Sequence, residues 1–136
     1  MTVRSAEAKS IVVERDLPYP PEKIWRALTE PRLIEEWLMR NEFAPLPGHR
    51  FRLQADWGVV DCEVRTVDRH RTLSYSWNSG PLQTTITWTL TPTGSGTRLR
   101  MAQEGFRADQ PRFYGGARAG WPLMLEKLER LLERMG

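Results

Sequence analysis

The most regular pattern of apolar and polar positions lies at the end of the chain, from Pro111 to Met135. Apolar residues recur there three or four positions apart, which places them along one face of a helix. These residues are Phe113, Tyr114, Ala117, Trp121, Met124, Leu125, Leu128, Leu131, Leu132 and Met135. At ~1.5 Å per residue the predicted helix is roughly 37 Å long, so it needs a wide apolar partner.

Between Gly48 and Gly105 apolar and polar residues alternate, with turn residues separating the runs. This period of two is typical of strands that have one buried face. It predicts a five-stranded antiparallel meander with apolar positions at Phe51 to Ala55, Val60 to Val64, Leu73 to Trp77, Thr84 to Leu90 and Leu99 to Met101. The apolar face of such a sheet has to be covered, and the terminal helix is the only predicted element long enough to cover it.

The first part of the chain predicts one more strand, from Ile11 to Asp16, followed by two short helices that begin at Pro21 and Pro31. Proline suits the first turn of a helix because no intrahelical hydrogen bond is lost there. The predicted fold is therefore α+β: a curved antiparallel sheet around a long C-terminal helix, with two short helices between its first and second strands. Residues 10 to 136 form a single domain in this interpretation, and residues 1 to 9, which show no period, form a flexible N-terminus.

The first half of the terminal helix contains a group of very small residues that leave part of its surface nearly bare. Its small residues are Gly115, Gly116, Ala117, Ala119 and Gly120. Such a surface predicts either close packing against bulky residues opposite or room for a ligand. The candidate ligand-binding residues are Trp37, Phe51, Tyr75, Trp77, Trp88, Met101, Phe113, Gly116, Ala117, Gly120, Trp121 and Met124. Of these, Trp37 is expected near the mouth of the cavity.

Length, cysteine content and charge exclude several other classes. A chain of 136 residues with one cysteine and no long apolar run is expected to be a cytoplasmic protein that neither contains disulfides nor enters a membrane. The net charge is +3, but the basic residues, seventeen of them arginine among twenty, are scattered from Arg4 to Arg134. Without a basic cluster, nucleic-acid binding is not expected.

Few residues suit catalysis or metal binding. His49 and His70 lie in predicted turns and are expected in solvent, and Cys62 alternates with Val60 and Val64, which predicts a buried thiol. One cysteine and two separated histidines do not supply a zinc site. Gly94-Ser95-Gly96 is interpreted as a hairpin turn rather than a dinucleotide loop. We therefore predict no catalytic residue, no metal and no cofactor.

Short motifs spread over roughly residues 10 to 134 add a family resemblance. They are Pro20-Pro21-Glu22 before Ile24-Trp25, Leu28-Thr29, Glu36-Trp37-Leu38, Pro47-Gly48, Leu73-Ser74-Tyr75, Thr84 to Leu90, Gly96-Thr97-Arg98-Leu99, Glu104-Gly105-Phe106 and Gly120-Trp121. Together they resemble the START-like superfamily known as SRPBCC, and more closely its branch of homologues of the activator of heat-shock protein 90 ATPase. One departure is His49, which stands where the branch often has a second glycine.

The resemblance implies a helix-grip fold with a cavity between sheet and helix, but it does not imply one activity. Members of the superfamily include lipid and hormone carriers, polyketide cyclases and aromatases, and cochaperone domains. The first interpretation is a non-catalytic carrier or sensor of a small hydrophobic or aromatic molecule. The second is an enzyme of the polyketide cyclase or dehydratase kind, in which Tyr75, Arg118 or Gln103 orients a carbonyl. The third is a cochaperone-type module that binds a chaperone, and a homodimer is left open.

Overall fold

The computed structural model of the chain describes residues 9–135. Residues 1–8, most of the segment predicted to be a flexible N-terminus, and Gly136 lie outside the described residues. Within the described range the elements are, in order, β1 (Lys9–Leu17), α1 (Pro21–Thr29), α2 (Pro31–Trp37), β2 (Arg40–Asn41), β3 (Arg50–Ala55), β4 (Gly58–Asp68), β5 (Thr72–Ser79), β6 (Leu82–Pro92), β7 (Thr97–Phe106) and α3 (Pro111–Arg134).

The strands form one curved antiparallel sheet in the order β1-β7-β6-β5-β4-β3-β2. The predicted meander is therefore confirmed, and β1 extends it by pairing with β7, with Val13 opposite Met101. At the other edge lies β2, which the sequence pattern did not predict because two residues are too short to show a period. The α+β helix-grip fold with two short helices before the meander is confirmed.

The two short helices meet at a sharp corner that prolines define. Pro21 and Pro31 each occupy the first turn of a helix, and Glu30 between them has extended backbone. Extended backbone is what a residue before proline favours, so α1 has to end there. The Glu30 carbonyl then accepts hydrogen bonds from the amides of Leu33 and Ile34, which starts α2.

Helix α3 covers the concave face of the sheet with its second half. Its buried side chains are Trp121, Leu125, Leu128, Leu131 and Leu132, as the apolar period predicted. In the first half, the side chains of Phe113 and Ala117 are only half-buried. Within residues 9–135, no helix is both long and apolar enough to cross a membrane.

The hairpin between β6 and β7 makes a testable contact with the first strand. A Cβ atom built on Gly96 would lie 2.0 Å from the carbonyl oxygen of Leu17, whereas one on Gly94 would meet nothing within 4 Å. We expect Gly96→Ala to lower the free energy of unfolding by about 1 to 3 kcal/mol, because backbone has to move to admit the methyl group. Gly94→Ala is the control and should stay close to wild type. Equal urea-unfolding midpoints for the two variants would contradict the close approach.

Candidate functional site

Aromatic side chains fill the space between the sheet and the second half of α3. Trp37 packs edge-on against Trp88 with ring centroids 5.6 Å apart, and Trp88 packs against Trp121 at 5.8 Å. Trp121 in turn lies 5.4 Å from Trp77. Trp37 and Trp88, at the inner end of this series, are buried, whereas Trp77 and Trp121, at its outer end, border an open cleft.

The cleft lies between the sheet and the stretch of α3 from Arg112 to Lys127 and has a volume of about 540 Å³. Pockets of this size that are mostly apolar are typical of small-molecule sites. The lining side chains and glycines are Leu38, Met39, Ala55, Trp57, Trp77, Ser79, Leu82, Gln103, Arg112, Phe113, Gly116, Ala117, Gly120, Trp121, Met124 and Lys127. Trp57 is 66% exposed and therefore lies at the rim of the cleft.

The helical wall of the cleft is bare because of its glycines. A Cβ atom on Gly116 would meet no atom within 4 Å, and one on Gly120 would meet only the methyl carbon of Met124, at 3.8 Å. The sequence left two explanations for these small residues, close packing or room for a ligand. Gly116 is exposed and no atom lies within 4 Å of its Cβ position, so the structure does not show close packing at this glycine.

A hydrogen-bonded network forms part of the floor of the cleft. The indole nitrogen of Trp121 donates to the amide oxygen of Gln103 at 2.7 Å, and the Gln103 amide nitrogen donates to the Thr84 hydroxyl oxygen at 2.9 Å. The Thr84 hydroxyl donates to the backbone carbonyl of Trp77 at 2.7 Å. Since Gln103 is 1% exposed, these bonds satisfy polar atoms that would otherwise be buried without partners.

This network predicts a measurable loss of stability in Trp121→Phe. The phenyl ring cannot donate, so the buried oxygen of Gln103 loses its donor at a cost of about 1 to 3 kcal/mol, in addition to the void that the smaller ring leaves. In the double variant Trp121→Phe with Gln103→Leu the buried amide is gone, so part of the loss should be recovered. Urea unfolding of both variants tests this. If the double variant loses more free energy of unfolding than the two single variants lose together, the network does not stabilise the protein as described.

Seven of the twelve candidate ligand-binding residues line the cleft. They are Trp77, Phe113, Gly116, Ala117, Gly120, Trp121 and Met124. The other five, Trp37, Phe51, Tyr75, Trp88 and Met101, are buried in the core and do not line it. A ligand-binding role for the seven stays a prediction, whereas the five serve packing in this structure.

The position expected for Trp37, near the mouth of the cavity, is wrong. Its ring is 2% exposed, and its indole nitrogen donates to the backbone carbonyl of Ala27 at 2.9 Å. That bond ties the end of α2 to α1 and directs the ring inward. Met39, two residues later, lines the cleft in its place.

Phe51 and Tyr75 are covered by Phe43, a residue of the loop after β2. The ring of Phe43 lies 5.1 Å from that of Phe51 and 6.2 Å from that of Tyr75. The Tyr75 hydroxyl accepts a hydrogen bond from the Trp88 indole, and burial raises the pKa of Tyr75. The phenol is therefore neutral near pH 7 and separated from the cleft.

Nine residues that line the cleft were not among the candidate ligand-binding residues predicted from the sequence. These are Leu38, Met39, Ala55, Trp57, Ser79, Leu82, Gln103, Arg112 and Lys127, of which Gln103 was considered only for catalysis. Most lie at the ends of elements or in turns, where periodicity gives no direction for a side chain. Spacing on α3 could have identified Lys127, because it lies seven positions after Gly120 and thus on the same helical face.

The residues considered for acid-base or nucleophilic chemistry lie elsewhere. His49 contacts the Glu42 carbonyl at 2.8 Å, and His70 packs against Trp25 with ring centroids 6.1 Å apart, so both are half-buried rather than free in solvent. Cys62 is buried, as predicted, and burial raises its pKa, which disfavours the reactive thiolate. Among residues 9–135, no group of three or more metal-ligating side chains is gathered in one place.

Comparison with known proteins connects this architecture to a family. A family model described as "Activator of Hsp90 ATPase homolog 1-like protein" matches residues 18–133. The crystal structure of protein MLL2253 from Mesorhizobium loti is 58% identical in sequence, with a TM-score of 0.91 over 94% of this chain and 99% of that chain. Among curated proteins, none matches the sequence.

Two further solved structures are similar in fold. CalU16 from Micromonospora echinospora has a TM-score of 0.81 at 22% identity, covering 97% of this chain and 81% of that chain. DynU16, a protein of the dynemicin biosynthetic locus, has a TM-score of 0.76 at 25% identity and covers 93% of this chain. This chain corresponds to 47% of DynU16, so it spans about half of that protein.

Proposed function

The chain belongs to the family of activator of Hsp90 ATPase homolog 1-like proteins, and within that family we propose that it binds a small hydrophobic or aromatic molecule as a carrier or sensor. The ligand lies in the cleft between the sheet and α3. The observation that carries the proposal is the cleft itself, an opening of about 540 Å³ lined mostly by apolar side chains, with the glycines Gly116 and Gly120 of α3 in its lining.

The chemistry of the lining supports an apolar ligand. Trp77 and Trp121 supply aromatic surface, and Phe113 and Met124 supply adaptable apolar surface on α3. Gln103 has both its amide oxygen and its amide nitrogen engaged in protein hydrogen bonds. The cleft therefore offers contact area more than hydrogen bonds, which suits a flat or flexible apolar molecule.

The arrangement gives little support to the cyclase-like alternative. Of the three residues considered for orienting a carbonyl, Tyr75 is buried under Phe43 and Arg118 does not line the cleft. Gln103 lines it, but the lining contains no acidic side chain, and both polar groups of the Gln103 amide are engaged in protein hydrogen bonds. The similarity to DynU16, a protein of the dynemicin biosynthetic locus, is a similarity of fold and does not raise this alternative above binding.

A chaperone-binding role is the second candidate, because two exposed apolar side chains lie beside the cleft. Trp57 is 66% exposed, and Leu123 is 63% exposed on the helical face between Gly120 and Lys127. Exposed apolar surface of this kind is typical of interaction sites. If this role holds instead, purified heat-shock protein 90 should protect Trp57 and Leu123 from solvent while no small molecule binds.

Native mass spectrometry of freshly purified protein, followed by denaturing extraction, tests the proposed function. We expect a bound organic molecule, or binding of the neutral apolar probe N-phenylnaphthylamine with a fluorescence increase. Turnover of a model polyketide without stable binding would favour the enzyme. Failure of both the extraction and the probe titration would contradict a ligand-binding cleft.

A further inference from the structure

The cleft carries an uneven distribution of charge. Its lining contains two basic side chains, Arg112 and Lys127, and no acidic side chain. Ten arginines of residues 9–135 make ion pairs with acidic side chains, for example Arg107 with Asp109 and Arg130 with Glu126. Within the described part of the chain, no carboxylate lies within ion-pairing distance of Arg112 or Lys127.

The acidic side chains that flank Lys127 on α3 form ion pairs with other residues. Glu126 pairs with Arg130 at 3.2 Å, and Glu129 pairs with Arg15 of β1 at 3.5 Å. The helical neighbours of Lys127 at three and four positions are Leu123, Met124, Arg130 and Leu131. The positive charge beside the cleft is therefore not compensated along α3.

Resting on the proposed function, we propose that the ligand is an amphipathic anion, an apolar or aromatic body with one carboxylate or sulfonate group. Arg112 and Lys127 are exposed at the cleft, so each attracts an anionic group with a modest, salt-screened energy that adds to the apolar contacts. A cationic ligand is repelled by these two basic side chains. A neutral ligand gains only the apolar contacts.

The separation of the two basic residues along the helix limits which of them one ligand can contact. Arg112 and Lys127 are fifteen residues apart, which is about 22 Å along the helix axis. They lie at opposite ends of the cleft, so the anionic group of one compact ligand reaches one of them while its apolar body lies against Gly116 and Trp77. A guanidinium binds a carboxylate with two parallel hydrogen bonds, whereas a lysine acts as a flexible point charge.

A matched pair of fluorescent probes separates charge from apolar contact. Anilinonaphthalene sulfonate is anionic, and N-phenylnaphthylamine has the same aromatic skeleton without the sulfonate. We expect wild type to bind the anionic probe more tightly than the neutral one, with a preference that shrinks as salt is added. In the double variant Arg112→Gln with Lys127→Gln, the affinity for the anionic probe should fall by about three- to tenfold, while the affinity for the neutral probe should hold.

The control removes two charges away from the cleft, as Arg118→Gln with Arg71→Gln, and should keep the preference. The two single variants identify the end of the cleft that holds the anionic group. If the double variant changes both probes by the same factor, or neither, the charge proposal is overturned although the cleft still binds apolar molecules. If neither probe binds wild type, the proposed function fails as well.

Discussion

Removal of residues 111–136 should abolish folding. The truncation deletes five buried side chains of α3, Trp121, Leu125, Leu128, Leu131 and Leu132. Each contributes about 1.5 to 3 kcal/mol on burial, so the loss is roughly 8 to 15 kcal/mol, which equals the whole stability of a typical domain. The concave face of the sheet, including Trp88 at 0% exposure, would also be opened to water. Near-ultraviolet circular dichroism and a thermal melt of the truncated protein measure the effect.

A full-length control separates the loss of packing from the loss of helix charges. Glu126 and Arg130 form an exposed ion pair on the outer face of α3, so replacing both by alanine should leave folding intact. A truncated protein that stays soluble, unfolds cooperatively and keeps the aromatic dichroism of wild type would contradict the structural role given to α3.

Gly116→Leu should remove ligand binding without unfolding the protein. The leucine side chain enters the volume beside Gly116 that the structure leaves open, so it occupies part of the ligand's place. Affinity for N-phenylnaphthylamine should fall at least about tenfold, which corresponds to ~1.4 kcal/mol. Stability should hold or rise, because glycine inside a helix costs roughly 0.5 to 1 kcal/mol relative to alanine.

Gly115→Leu is the matched control. It makes the same change one position earlier, where a Cβ also meets nothing within 4 Å but the residue does not line the cleft. This variant should show the same gain in helix propensity as Gly116→Leu, and it should bind the probe with the affinity of the wild-type protein. The proposed site is wrong if both variants bind the probe with wild-type affinity. It is also wrong if Gly116→Leu melts well below Gly115→Leu, as expected for an overpacked core.

Most of the fold can be predicted from periodicity, because the strand period and the helical period occupy separate stretches of the chain. A period of two from Phe51 to Met101 and a helical period from Phe113 to Met135 determine which face of each element is buried. Prolines 21 and 31 mark where the short helices begin. Periodicity does not show β2, since pairing of Arg40 with Gln54 depends on the path of a loop.

In the candidate site, only the wall formed by α3 can be predicted from the sequence in the same way. Small residues on α3 indicate a bare wall, and Gly116 and Gly120 line the cleft, while their role in ligand binding stays a prediction. On the sheet, Tyr75 and Trp77 point to the same face two positions apart, yet only Trp77 lines the cleft. The difference is Phe43, a loop residue without periodic context that covers Tyr75. Which part of an apolar sheet face stays open thus depends on loops that single-sequence patterns do not place.

A crystal structure of the protein with N-phenylnaphthylamine tests the central claim most directly. The naphthyl group should lie in the cleft, between the indole of Trp77 and the bare backbone at Gly116, with Trp121 and Met124 in contact with it. The probe bound elsewhere on the surface, or a cleft closed by the protein's own side chains around Gly116, would contradict it.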